Sequence, residues 1–252
     1  MKIALLTDFG TRDPYVAVMK GVIASRTIAP ILDLSHEIAR YDVLEAAWFL
    51  RTAAPWWPEG TIFVAVVDPG VGSERRILGA EENGRVFLAP DNGLLTLVLT
   101  RSASVVSIEN PAYFLPNGST TFHGRDRFAP AAAAIANGTS IDDLGPRLTS
   151  IVRLDYDPPQ YGEVTRGTIV AVDRFGNLIT DVERARVPHP RFALRGPGIM
   201  IDRLETNYAD AEPGAFLIVG SSGLIEISVG NGSAAELLKM KRLDGVEVIH
   251  ST

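Results

Sequence analysis

A two-part α/β protein is the fold class this sequence predicts. An N-terminal α/β domain, residues 1–155, is built on a central, mostly parallel sheet. A smaller C-terminal β-barrel-like domain follows at residues 163–252. Three observations carry this. Short apolar runs alternate with helical patterns through the first half, as βαβ units require. The segment Leu154-Asp155-Tyr156-Asp157-Pro158-Pro159-Gln160-Tyr161-Gly162 places two prolines and a glycine among polar residues, the composition of a linker. Beyond it the helical periodicity fades, and apolar runs are separated by glycine-containing turns, the pattern of a small β domain.

In chain order, Ile3-Ala4-Leu5-Leu6-Thr7 is the first strand candidate. Residues 30–34, 62–67, 86–89 and 105–108 are the other strand candidates of the first half, each a short apolar run of buried-strand type. Helical spacing marks 15–25, 43–53, 93–100 and 127–137. Asp42 before Val43-Leu44-Glu45 is an N-cap candidate with an acidic first turn. In the second half, 164–173 and 177–182 read as strands around a Phe-Gly turn. Residues 216–219 and 224–229 flank Gly220-Ser221-Ser222-Gly223, and 246–250 closes the domain.

Composition narrows the function. The chain has 252 residues, 46% hydrophobic, enough to bury a sizeable core. A net charge of -6 argues against a nucleic-acid surface, which needs a basic patch. No apolar run reaches the ~18 residues of a membrane span. The first ten residues read as a strand and not as a signal peptide. The chain contains no cysteine, which excludes disulfides, thiolate catalysis and cysteine-ligated zinc. The expected location is cytoplasmic.

Chemistry-bearing residues gather at loop signals. Asp8 and Asp13 lie in Thr7-Asp8-Phe9-Gly10-Thr11-Arg12-Asp13, at the end of the first strand candidate. Asp68 and Arg75 bracket Asp68-Pro69-Gly70-Val71-Gly72-Ser73-Glu74-Arg75, directly after an apolar run. His123, one of four histidines, lies in Thr121-Phe122-His123-Gly124-Arg125-Asp126-Arg127-Phe128. A carboxylate, a guanidinium and an imidazole are a kit for activating water. Each also has a structural reading. Asp8 suits a turn, Asp13 an N-cap before Pro14, Asp68 a turn-forming Asp-Pro-Gly, and Asn177 a left-handed turn position. Asp126 and Arg127 suit a mutual ion pair or a helix cap.

Together these segments resemble the S-adenosyl-L-methionine (SAM) hydrolases that form adenosine, the SAM hydroxide adenosyltransferases, relatives of the fluorinase and chlorinase. The resemblance runs from Lys2 to about Leu238. Three further motifs carry it: Ala89-Pro90-Asp91-Asn92-Gly93-Leu94-Leu95-Thr96, Val172-Asp173-Arg174-Phe175-Gly176-Asn177-Leu178-Ile179-Thr180 and Gly230-Asn231-Gly232-Ser233-Ala234-Ala235. It implies that Asp68, Arg75 and His123 hold an attacking water and that Asp8 binds ribose. It places Asp13 and Asp173 near the methionine end, Asn177 at the adenine, and Tyr208 stacked on it. Ser221, Ser222 and Asn231 complete the expected substrate-binding set. The resemblance also implies a homotrimer, with each site between the N-terminal domain of one subunit and the C-terminal domain of the next. No cofactor is expected.

The resemblance separates hydrolysis from halogenation, because the halogenases carry a tyrosine where this chain has Asp68 and a serine at Gly124. The physics agrees. A carboxylate at Asp68 repels a halide, whereas water donates to it while Arg75 favours the hydroxide-like form. Two rival functions remain open at this point. One is a metal-dependent hydrolase using Asp8, His36, Asp68 and His123, although no HxH or HExxH pair occurs. The other is a SAM- or adenosine-binding module without catalysis, which has no use for Asp68, Arg75 and His123 together.

Overall fold

The structure, a computed structural model, describes residues 1–209 and 211–250. Its contacts divide into two compact units, the first ending at Asp155.

The first unit holds β1 (Lys2–Thr7), α1 (Tyr15–Ala24), β2 (Ile31–Ser35), α2 (Val43–Ala53), β3 (Thr61–Val66), β4 (Ile77–Glu82), β5 (Arg85–Pro90), β6 (Ser104–Ser107) and α3 (Ala129–Ala136). The sheet order is β2-β1-β3-β5-β4-β6. β1 pairs parallel with β2 and β3, and β3 with β5. β4 pairs antiparallel with β5 and β6.

Both faces of this sheet are covered, and the period-2 alternation sorts its residues. Ile3, Leu5, Ile62 and Val64 pack with Met19 and Ile23 of α1 and Ala132 of α3. Ala4, Leu6, Phe63 and Ala65 pack on the other face with Ala46 and Leu50 of α2. Strands buried on both faces read as continuous apolar runs, which is why β1 and β3 stand out in the sequence. Each fully buried aliphatic side chain contributes about 1.5–3 kcal/mol of transfer free energy.

The local differences from the sequence reading have physical causes. β4 was not expected. It forms a hairpin with β5 across Asn83-Gly84, both at positive φ (49° and 69°), the conformation that two-residue hairpins favour. The helix expected at 93–100 is only a 3-10 turn, Leu94–Leu97, entered through Gly93 at φ 97°. The helix expected at 127–137 is α3, preceded by a wide π-type turn, Gly124–Phe128. Asp42 caps α2 through Glu45 N at 2.9 Å. Asp13 does not cap α1. Pro14 holds that position, with no side-chain hydrogen bond.

The second unit contains β7 (Thr165–Val172), β8 (Leu178–Glu183), β9 (Phe192–Gly196), β10 (Ile199–Ile201), β11 (Leu204–Glu205), β12 (Ala215–Val219), β13 (Leu224–Val229), α4 (Ala234–Leu238) and β14 (Gly245–His250). Its eight-stranded sheet runs β10-β9-β14-β7-β8-β13-β12-β11 and curls until β10 approaches β12. Ile169, Leu178, Leu194, Leu217, Ile225, Ile227 and Val248 fill the curl. This is a half-barrel, in line with the expected fold class. β9 to β11 and α4 were absent from the sequence reading.

Candidate active site

In the first unit, loops after strand ends carry the chemistry. β3 runs out at Val66, and two residues later Asp68 opens a doubly turned loop. Val71 N donates to Asp68 O at 3.2 Å, and Ser73 N to Gly70 O at 3.1 Å. Gly72 sits at φ 83° within 4 Å of Thr120, where a Cβ would lie 2.6 Å from the Thr120 carbonyl oxygen. The loop therefore folds back and returns Arg75 to Asp68. Arg75 Nε donates to Asp68 Oδ1 at 2.8 Å, and Nη2 donates to Oδ2. Nη2 also reaches His123 Nδ1 at 2.8 Å. Arg76 turns away and donates to Asp91 Oδ2 at 2.7 Å.

This trio is largely dry. The Asp68 and Arg75 side chains are only 5% and 9% exposed, and His123 is buried. Burial, and then the cations Arg127 and Arg75, pull the His123 imidazole down from 6.5 to about 4, against the opposing pull of Asp68 and Asp126. His123 is thus neutral near pH 7. Arginine has no acceptor, so Nδ1 accepts from Arg75 and the ring proton belongs to Nε2. Arg75 Nη1 is buried and finds no acceptor among the described residues.

Asp68, Thr121 and His123 line one side of a cavity of about 170 Å³. Phe9, Tyr15 and Phe122 line another, stacked edge to face with Tyr15–Phe122 centroids 5.2 Å apart and Phe9–Phe122 6.0 Å apart. Sequence reasoning missed these three aromatics. Their only local signal was adjacency to the charged motifs.

Asp8 follows β1 and is partly buried, and its Oδ2 accepts from Tyr41 N at 2.9 Å. Tyr41 is a non-glycine residue at φ 66°. Asp13 is exposed. Neither aspartate lines the 170 Å³ cavity. Asp126 pairs with Arg125 and not with Arg127: Arg125 Nε donates to Oδ1 at 2.6 Å and Nη2 to Oδ2 at 2.9 Å. Arg127 lies over the Phe114 ring instead. His36 is engaged structurally, with Nδ1 2.9 Å from Thr7 Oγ1 and Nε2 2.9 Å from Asp33 Oδ1.

The second unit has its own cavity, about 610 Å³, lined by Asp173, Phe175, Asn177, Tyr208, Val229, Asn231 and Gly232. Asp173 knots the β7–β8 turn: Oδ1 accepts from Phe175 N and Asn177 N, both at 2.9 Å, and Oδ2 accepts from Asn177 Nδ2 at 2.8 Å. Gly176, at φ 83°, packs against Ser233, where a Cβ would lie 2.1 Å from Oγ. That contact joins the 172–180 and 230–235 motifs. Ser233 Oγ in turn accepts from Glu236 N at 3.1 Å and caps α4. Ser221 and Ser222 occupy the exposed turn between β12 and β13 and do not line this cavity. Phe175, 77% exposed, was not singled out in the sequence.

The first unit cradles an aspartate–arginine–histidine set beside its cavity, and the second an Asx-type turn with an aromatic wall beside its own. Residues 3–145 match the SAM hydroxide adenosyltransferase N-terminal domain, and residues 167–247 match its C-terminal domain. The chain belongs to the SAM hydroxide adenosyltransferase family. A curated relative from Thermus thermophilus, an (R)-S-adenosyl-L-methionine hydrolase, is 41% identical over 95% of this chain and 96% of its own length. The hydrolase of the same name from Methanocaldococcus jannaschii is 32% identical over 98% and 95%. A solved structure of a conserved protein from Thermotoga maritima superposes with a TM-score of 0.91 at 33% identity, covering 98% of this chain and all of that one.

Proposed function

We propose that this protein hydrolyses S-adenosyl-L-methionine to adenosine and L-methionine by in-line attack of a water at C5′. The hydrogen-bonded chain Asp68–Arg75–His123, whose two ends Asp68 and His123 line a cavity, carries this reading. Each Asp68 oxygen accepts one hydrogen bond from Arg75 and keeps a lone pair for a water proton. His123 Nε2–H is a donor suited to the oxygen of that water, and Arg75 holds Asp68 and His123 in place from behind. The O–C5′ bond forms as C5′–S breaks. The electron pair stays on sulfur, which leaves as the neutral thioether of methionine, and the water proton passes to Asp68 or to solvent. A neutral leaving group needs no Lewis acid, so the reaction is proposed to need no metal.

Asp8 binds the ribose hydroxyls, and Asp13 stands at the methionine end. In the second cavity Asp173 faces the methionine end, Asn177 reads the adenine edge, Tyr208 stacks on the base and Asn231 completes the contacts, while Ser221 and Ser222 act from the exposed β12–β13 turn outside it. Residues 1–155 and 163–252 act as separate domains. The assembly is a homotrimer in which the first cavity of one subunit meets the second cavity of a neighbour, and the location is cytoplasmic. Among the described residues no helix is long and apolar enough to cross a membrane. Incubation with SAM followed by chromatography, with and without EDTA, tests the reading. Adenosine and methionine in equal amounts are expected in both. Adenine or methylthioadenosine as product, or activity lost in EDTA and restored by a divalent ion, would overturn it.

A further inference from the structure

Glu226 is a buried carboxyl in a strand, Leu224–Val229, whose other residues are apolar except Ser228. On β13 its neighbours Ile225 and Ile227 point into the core of the half-barrel, so Glu226 points to the opposite face. There its Oε2 accepts a hydrogen bond from the Tyr208 hydroxyl at 3.4 Å. The fold makes room for it. A Cβ at Gly220 would lie 1.7 Å from Glu226 Oε1, so any residue but glycine at 220 would evict the carboxyl. Burial, and then the nearby Asp173 carboxylate, push its pKa up, so the chain houses an acid here against its electrostatic preference.

Tyr208 needs such an anchor. It lies in the irregular segment between β11 and β12 and is half exposed. Phe216, fully buried, meets its ring at an angle with centroids 6.3 Å apart. That contact leaves the ring free to swing and to lift off, and a hydrogen bond at the distal hydroxyl restrains both motions. Lost rotamer freedom is part of the cost of binding, and a preorganised wall lowers it.

We propose that Glu226 is a positioning residue, which with Gly220 holds the Tyr208 ring as the fixed aromatic wall of the second cavity. The proposal rests on the reading of Tyr208 as the surface that stacks on adenine. It makes affinity for the nucleoside, and not for methionine, depend on Glu226.

The test is calorimetric titration of the full-length protein with adenosine and, separately, with L-methionine. Glu226→Leu keeps the volume and removes the acceptor. It is expected to weaken adenosine binding about fivefold to tenfold, the worth of one hydrogen bond, with methionine binding unchanged. Glu226→Gln keeps an acceptor and is expected to restore most of the loss. Tyr208→Phe keeps the ring and removes the hydroxyl, so it should match Glu226→Leu, and it decides the matter if the leucine variant does not fold. Wild-type adenosine affinity in Tyr208→Phe, or equal losses for both ligands, overturns the proposal. Tyr208→Ala separates the two readings. If it binds adenosine like the wild type, the adenine-wall reading itself falls. If it weakens binding while Tyr208→Phe does not, only the role of Glu226 falls.

Discussion

Arg75 grips Asp68 side-on, Nε to Oδ1 at 2.8 Å and Nη2 to Oδ2, while the same Nη2 reaches His123 Nδ1 at 2.8 Å. The guanidinium therefore links a carboxylate to an imidazole and fixes both. Removing one partner of a buried charge pair leaves the other uncompensated, so each of the three side chains is tied to the protonation and placement of the other two.

Asp68→Ala and Arg75→Ala should lower kcat roughly a hundredfold, because a lost preorganised charge contact costs about 3 kcal/mol, and leave SAM binding nearly intact. An interaction realised mainly in the transition state has that signature. Single-turnover rates beside calorimetric affinities measure it. A wild-type rate in Asp68→Ala would remove the proposed water site. Asp8→Ala should instead weaken SAM and adenosine binding, since a ribose contact acts on ground state and transition state alike.

His123 sets the acid limb of the pH profile. Its imidazole titrates near 4 in the folded protein and near 6.5 when unfolded. Between those values the unfolded chain binds a proton that the folded chain refuses, so stability from this group is present above pH 6.5 and is lost as pH falls toward 4. The difference in Tm between the wild type and His123→Gln should therefore shift in favour of the variant between pH 7.5 and pH 4.5. Activity limited by this group should persist to pH 5, with kcat/KM declining only near pH 4. An activity loss centred at pH 6.5 would show that burial and the neighbouring cations Arg127 and Arg75 do not hold the ring neutral.

Much of this arrangement is legible in the chain, for reasons that differ by residue. β1 and β3 are continuous apolar runs because both faces of their sheet are covered, and Asp8 and Asp68 draw notice because they follow such runs. β4 hides because Gly79, Glu81 and Glu82 interrupt its pattern, although the Asn83-Gly84 turn announces the hairpin. β9 to β11 lie among arginines, prolines and glycines between 184 and 214 that locally resemble a loop. Arg75 and Arg76 are equivalent by sequence, and only the fold-back of the 68–75 loop separates them. The trio Phe9, Tyr15 and Phe122 comes together from segments over a hundred positions apart, which no local pattern reveals.

If active sites are shared between subunits, two inactive variants should complement each other. Asp68→Ala spoils the first half-site and Asn177→Ala the second. Mixed and reassembled oligomers would contain some sites with both halves intact, so activity should reappear on mixing and rise with the fraction of hetero-oligomer. A site built within one subunit gives no recovery. Sedimentation equilibrium of the wild type is expected to report three subunits. A monomeric mass with full activity would exclude the shared arrangement.

Gly72 offers a test of loop placement that touches no charged group. It sits between Asp68 and Arg75 at φ 83°, and an added methyl would approach the Thr120 carbonyl oxygen to 2.6 Å. Backbone carbonyls do not yield as side-chain ends do, so Gly72→Ala must either abandon the left-handed conformation or push the 68–75 loop away from the segment that carries His123. Holding alanine at positive φ costs of order 1–2 kcal/mol, and the steric contact adds to it. The first unit's sheet core lies elsewhere, so the variant should fold with a modestly lowered Tm. Its kcat should nevertheless fall well beyond that loss, because the Arg75–His123 contact spans the two segments that are being separated. Small misplacements of catalytic groups cost on the order of a hundredfold. Gly72→Ala turning over SAM at the wild-type rate would mean that the close approach of Gly72 to Thr120 is not what holds Arg75 against His123.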